Sequence, residues 1–114
     1  DGKYYLMIIL DAPDGSGGNV NMTITGAVGA GLLVMDDPGE GNPQFDSVTG
    51  TGTLNWKWVN CCTDGALIGP LTPPFCVTMT YNSFAGINGV TTYNDGLPVA
   101  LGSPNQPLTL CANP

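Results

Sequence analysis

The chain of 114 residues contains no histidine and no arginine; its two basic side chains are Lys3 and Lys57, set against nine acidic ones. Without imidazole it lacks the commonest general base near neutral pH, the partner that activates Ser and Cys nucleophiles, and the commonest metal ligand. Binding to phosphate backbones needs clustered Lys and Arg that displace counterions, so a formal charge of -7 excludes nucleic acid as a partner. The same scarcity excludes docking on anionic lipid. No apolar run reaches the length of a membrane-spanning helix, so no membrane insertion is expected. C-x-x-C zinc spacing is also missing. What remains is carboxylate chemistry, oxygen-ligated cations or no chemistry at all, and no catalytic residues are expected.

Charged residues make up only 10% of the chain, against the roughly 25% usual in soluble domains, so Thr, Asn, Ser and backbone must wet its surface. With 17 Gly, 10 Pro and four cysteines, this is the composition of a secreted or cell-surface β-protein, in which an even cysteine count reads as disulfides. A start at Asp1, with neither Met nor a signal peptide, reads as a processed, exported product.

No segment carries a helical period. Apolar positions alternate, and turn residues interrupt them at short intervals. From Asn19 to Thr25, Val20, Met22 and Ile24 share one face, and Asn21, Thr23 and Thr25 the other. From Ser47 to Asn60 the inward set is Val48, Leu54, Trp56 and Trp58, with Gly50 and Gly52 marking a bend or bulge. Phe75, Val77, Met79 and Tyr81 alternate with Cys76, Thr78, Thr80 and Asn82, and further strands are expected at 30–35, 86–93, 97–101 and 107–112. These patterns predict one all-β domain over 1–114, a two-sheet β-sandwich of Greek-key-like order with about 7–9 strands, braced by disulfides. Leu108 and Leu110 join Val20, Met22, Ile24, Leu54, Trp56, Trp58, Val77 and Met79 in its expected core. Alternation with Thr and Asn places the two Trp there rather than on a sugar-stacking surface.

Tyr4, Tyr5, Leu6, Met7, Ile8, Ile9 and Leu10 break the alternation, because both faces of this stretch are apolar and call for burial on both sides. Two readings follow: a central or wrapped strand of the chain's own core, or a strand donated to a neighbouring copy, for which residues 1–10 are well placed.

Five of the nine acids gather in two Gly/Pro-rich loops, Asp11 and Asp14 in one, Asp36, Asp37 and Glu40 in the other. Calcium takes six to eight oxygens from such flexible acidic loops, so these five residues are the candidate ligands, with the Asp36, Asp37, Glu40 loop ahead. The same residues are also ordinary turn formers. Cys76 and Cys111 fall on the outward faces of their strands and can pair, leaving Cys61 and Cys62 to each other; the alternatives join each of that adjacent pair to Cys76 or Cys111. Asn21-Met22-Thr23 is a formal N-glycosylation sequon with its Asn on the wet face.

The run Leu54-Asn-Trp56-Lys-Trp58-Val-Asn60-Cys61-Cys62-Thr63-Asp64-Gly65-Ala-Leu-Ile-Gly-Pro70 resembles a motif of exported bacterial surface proteins, among them proteins with PEP-CTERM sorting tails and type IX-secreted adhesins. Phe84-Ala-Gly86-Ile87, Tyr93-Asn-Asp95-Gly96 and Pro107-Leu-Thr-Leu110 extend the likeness over roughly 45–112, and Cys76 and Cys111 are additions to the pattern. The resemblance implies an extracellular β-rich module of matrix, biofilm or cell-surface type, with no catalytic residues to carry over. The expected function is that of a secreted structural subunit whose partners are copies of itself, assembled into a filament, pilus-like fibre or matrix. The alternative is a monomeric, calcium-dependent module that binds glycans at the cell surface.

Overall fold

The computed structural model describes residues 2–10, 17–35, 44–58, 64–87, 89–94, 97–102 and 104–113. Ten strands run through them: β1 (Tyr4–Leu10), β2 (Gly18–Thr25), β3 (Gly31–Met35), β4 (Gln44–Asp46), β5 (Thr51–Trp58), β6 (Asp64–Leu71), β7 (Phe75–Ala85), β8 (Val90–Asn94), β9 (Leu97–Gly102) and β10 (Leu108–Ala112). Eight of them build two antiparallel sheets, a three-stranded one in the order β1-β6-β3 and a five-stranded one in the order β10-β7-β2-β5-β4; β8 and β9 form a separate hairpin. Within the two sheets only β4 and β5 are both neighbours and consecutive in the chain. The other pairings are non-local, as in the expected Greek-key-like sandwich.

The alternation read from the sequence sets which side of each strand meets the core. Val20, Met22 and Ile24 of β2, Leu54 and Trp56 of β5, and Val77 and Met79 of β7 are all buried. From the smaller sheet, Ile8 and Leu10 of β1 and Ala66, Ile68 and Leu71 of β6 close the same cluster. Each fully buried side chain of the Ile68 or Leu54 type is worth about 1.5–3 kcal/mol. Leu108 and Leu110 are half-buried and pack against the rim of the cluster. Trp58 ends β5 on its backbone, and its side chain lies outside the described residues.

Four expectations are corrected. Val48 does not face inward: it is 82% exposed in the turn before β5, where its backbone N–H donates to Asp46 Oδ1 at 2.9 Å. That turn needs Gly50, whose φ is +70° and whose missing Cβ would fall 2.3 Å from the backbone nitrogen of Val28. The strand expected at 86–93 begins only at Val90, after Gly86 turns the chain at φ +87°. β6, at the centre of the smaller sheet, is a further strand whose sequence shows no alternation of apolar and polar residues, Gly65, Gly69 and Pro70 standing among its apolar ones. There the glycines serve close approach, since a Cβ at Gly65 would meet the carbonyl oxygen of Ile8 at 2.3 Å. Finally, β1 is neither central nor wrapped among the described residues. It pairs with β6 on one side, from Tyr4↔Leu71 to Leu10↔Asp64, and forms an edge of its sheet.

Candidate functional site

The outward faces of the two sheets differ completely in chemistry. On the larger sheet the outward residues include Thr, Asn, Lys57 and the Cys76–Cys111 bridge, with Gln44 and Asp46 on β4. Cys111 lies directly opposite Cys76 in the β10–β7 register, and the two are joined, with their Cα atoms 4.1 Å apart. This excludes the pairings of either residue with Cys61 or Cys62, which lie outside the described residues. Two positions along, on the same face, Thr78 and Thr109 lie opposite each other and share a hydroxyl hydrogen bond of 2.8 Å.

Further along this face a row of amides crosses three strands. The amide of Asn82 donates to Asn21 Oδ1 and to Thr23 Oγ1, both at 2.7 Å, and the amide of Asn21 donates to Asn55 Oδ1. The row exists because β7 carries one extra residue: Asn21 pairs with Ser83 and Met22 with Tyr81, so Asn82 bulges between them and reaches both neighbours. Asn21, the sequon residue, thus sits in mid-strand on β2 with both polar atoms of its amide engaged. At the end of the face, Gln44, Asp46, Thr51 and Thr53 border an open depression of about 280 Å³.

The outward face of the smaller sheet is apolar. β1 gives it Tyr5, Met7 and Ile9, β6 gives Leu67, and β3 gives Val34 and Leu33. Met7 and Val34 both pair with Leu67, so one apolar row crosses all three strands. Met7 is 67% exposed, Ile9 64% and Val34 56%, and Tyr5 and Leu33 are also exposed. The ring of Tyr5 lies over Gly69, where a Cβ would approach its Cδ2 to 2.5 Å. The only ionisable groups on the three strands are the two tyrosine hydroxyls of β1 and Asp64, which is buried at the end of β6.

Natural sheets guard their edges with charge, Pro, bulges or covering loops. β1 carries neither charge nor Pro along its seven residues, with one irregularity near Tyr4; β3 has a bulge at Leu33. The apolar stretch Tyr4–Leu10 is therefore only half used within its own chain: Leu6, Ile8 and Leu10 serve the core and Tyr5, Met7 and Ile9 face out. Leu33, Val34 and Leu67 complete the face and were not singled out by sequence. The signal for Leu67 is its place between buried Ala66 and Ile68.

The calcium candidates Asp11, Asp14, Asp36, Asp37 and Glu40 all lie outside the described residues. Trp56 is buried and unavailable for stacking on sugar. Among the described residues no helix is long and apolar enough to cross a membrane. No protein-family model, no curated protein and no solved structure matches this chain.

Proposed function

We propose that the chain is a structural subunit of the cell exterior, secreted and self-associating into a filament, pilus-like fibre or matrix through the region of β1. The observation that carries this reading is the uncharged apolar row Met7, Leu67 and Val34 across a sheet whose outer side nothing in the chain covers among the described residues. Contiguous apolar surface of this kind marks interaction sites on soluble proteins. The formal charge of -7 opposes close packing of copies, so their contact is expected on a surface that carries no acids, and this row carries none. The resemblance of the Trp56 to Gly65 segment to exported surface proteins supports the location, and the Cys76–Cys111 bridge suits an oxidising exterior.

Strand donation is one form this assembly can take. β1 would then leave its place beside β6 and fill the same place in a neighbour, with Ile8 and Leu10 in the neighbour's core. Deleting residues 1–10 does not test the reading cleanly, since it removes those two side chains from the core. Ile9→Lys changes only the outward face. Electron microscopy and light scattering on the full chain are expected to show fibres or large assemblies for the parent and none for a folded Ile9→Lys variant. Equal assembly by both proteins would overturn the reading.

A further inference from the structure

We infer that the apolar face of the β1-β6-β3 sheet is covered by the same face of a second copy, the two sheets packing face to face about a two-fold axis. The inference rests on the self-assembly reading and names its contact.

Three observations single out this occupant. The first is area: with about half to two-thirds of Tyr5, Met7, Ile9, Leu33 and Val34 exposed, the patch offers on the order of 600 Å² of side-chain surface. That is comparable to the ~800 Å² each partner contributes to a standard interface. The second is charge. The chain has a formal charge of -7, and a partner recruited by electrostatics would be drawn to its acids, whereas the described outward residues of the three strands include none. An uncharged surface is where two copies of an acidic chain approach at least cost.

The third is relief. Along β6 the outward positions run Gly65, Leu67, Gly69, so a single large side chain stands between two positions without one, flanked by Met7 and Val34. A two-fold axis lets the Leu67 and Met7 side chains of each copy enter the low ground beside the other's Gly65. Isologous contacts require self-complementarity of this kind, and two sheets of the same twist pack aligned at about 10 Å. The open edges of β1 remain available in such a dimer for further growth.

Sedimentation equilibrium of the full chain, from micromolar to millimolar, tests the contact with three variants. Met7→Lys lies on β1 and Val34→Lys on β3, at opposite edges of the sheet, and they share only its outward face; Val48→Lys lies in an exposed turn elsewhere. The expected result is a parent dimer whose dissociation constant rises by ~100-fold in both face variants and is unchanged in Val48→Lys, because a buried ammonium without a partner is strongly disfavoured. Circular dichroism and urea midpoints confirm that each variant is folded. A folded Val34→Lys variant that associates like the parent while Met7→Lys does not would overturn face-to-face packing and leave assembly through the β1 edge standing. A parent that stays monomeric throughout would overturn both this inference and the self-assembly reading.

Discussion

Tyr81 and Phe84 stand edge to face with ring centroids 6.5 Å apart, although they are three positions apart along one strand. In an unbroken strand, residues three apart point to opposite faces. Both rings pack against the core because Asn82 is the extra residue of a bulge, which reverses the alternation of β7 between Tyr81 and Ser83. The same residue carries the amide that ties Asn21 and Thr23 together on the outer side. One inserted residue therefore supplies an outer polar link and leaves both rings on the inner side.

Deletion of Asn82 and its replacement by Ala are expected to have similar costs. Asn82→Ala removes two exposed hydrogen bonds, at about 1–2 kcal/mol in total. Deletion removes the same bonds and returns the strand to regular pairing, with Ser83 still opposite Asn21 and Phe84 still opposite Val20, so it is expected to cost a similar amount, about 1–2 kcal/mol. Urea denaturation of the two variants compares them, and a loss of about 3–5 kcal/mol on deletion alone, the range for loss of a buried aromatic, would show that the bulge itself holds Phe84 against the core.

The bulge also marks where legibility in the sequence ends. Val20, Met22, Ile24, Leu54, Trp56, Val77 and Met79 were assigned to the core by alternation alone, and all are buried, because an antiparallel strand with one wet side writes its facing directly into a period of two. Cys76 and Cys111 were matched as a candidate pair by the same parity. Alternation fails where backbone geometry changes: at Asn82, at Val48 in its Gly50-dependent turn, and along β6, where glycines stand for close approach. The apolar face was half visible. Tyr4–Leu10 announces two apolar sides, whereas Leu67 and Val34 join it only through pairings between strands distant in sequence.

Gly65 permits β1 and β6 to lie side by side, and Gly65→Ala is expected to disturb that pair specifically. The added Cβ would fall 2.3 Å from the Ile8 carbonyl oxygen, a backbone atom that can move only with the strand. A cost of about 1–3 kcal/mol is expected, as for overpacking in a core. Amide hydrogen exchange is expected to quicken in Tyr4–Leu10 and to change little in the Asn21 and Asn55 strands. Uniform acceleration across both sheets would contradict a local effect.

The bond between Cys76 and Cys111 closes a loop with a sequence separation of 35 and ties the edge strand β10 to β7. For a loop of that length the chain-entropy model gives about 4 kcal/mol. Cys76→Ser combined with Cys111→Ser is expected to lower unfolding free energy by about 2–4 kcal/mol, with the Thr78–Thr109 hydroxyl bond remaining to hold the register. Denaturant titration of the double variant, with and without reductant, measures it. A loss below about 1 kcal/mol would show that β10 is held by its ladder with β7 and by packing of Leu108 and Leu110 rather than by the disulfide.

Tyr81 supplies a pH dependence in a chain that has no histidine. Burial raises its phenol above the ordinary value of 10.0, since the phenolate would lose hydration against the core. A proton held more tightly in the folded state than in the unfolded one makes stability fall with rising pH wherever the two states differ in protonation. The contribution of Tyr81 is therefore fully present below pH 10, and it is lost as pH climbs through the raised folded value. Absorbance titration of the folded chain is expected to show one tyrosine ionising later than in the urea-unfolded chain, and urea midpoints are expected to decline above pH 10. Tyr81→Phe should flatten the part of that decline due to this residue, and an unchanged slope in the variant would assign the alkaline loss to other groups.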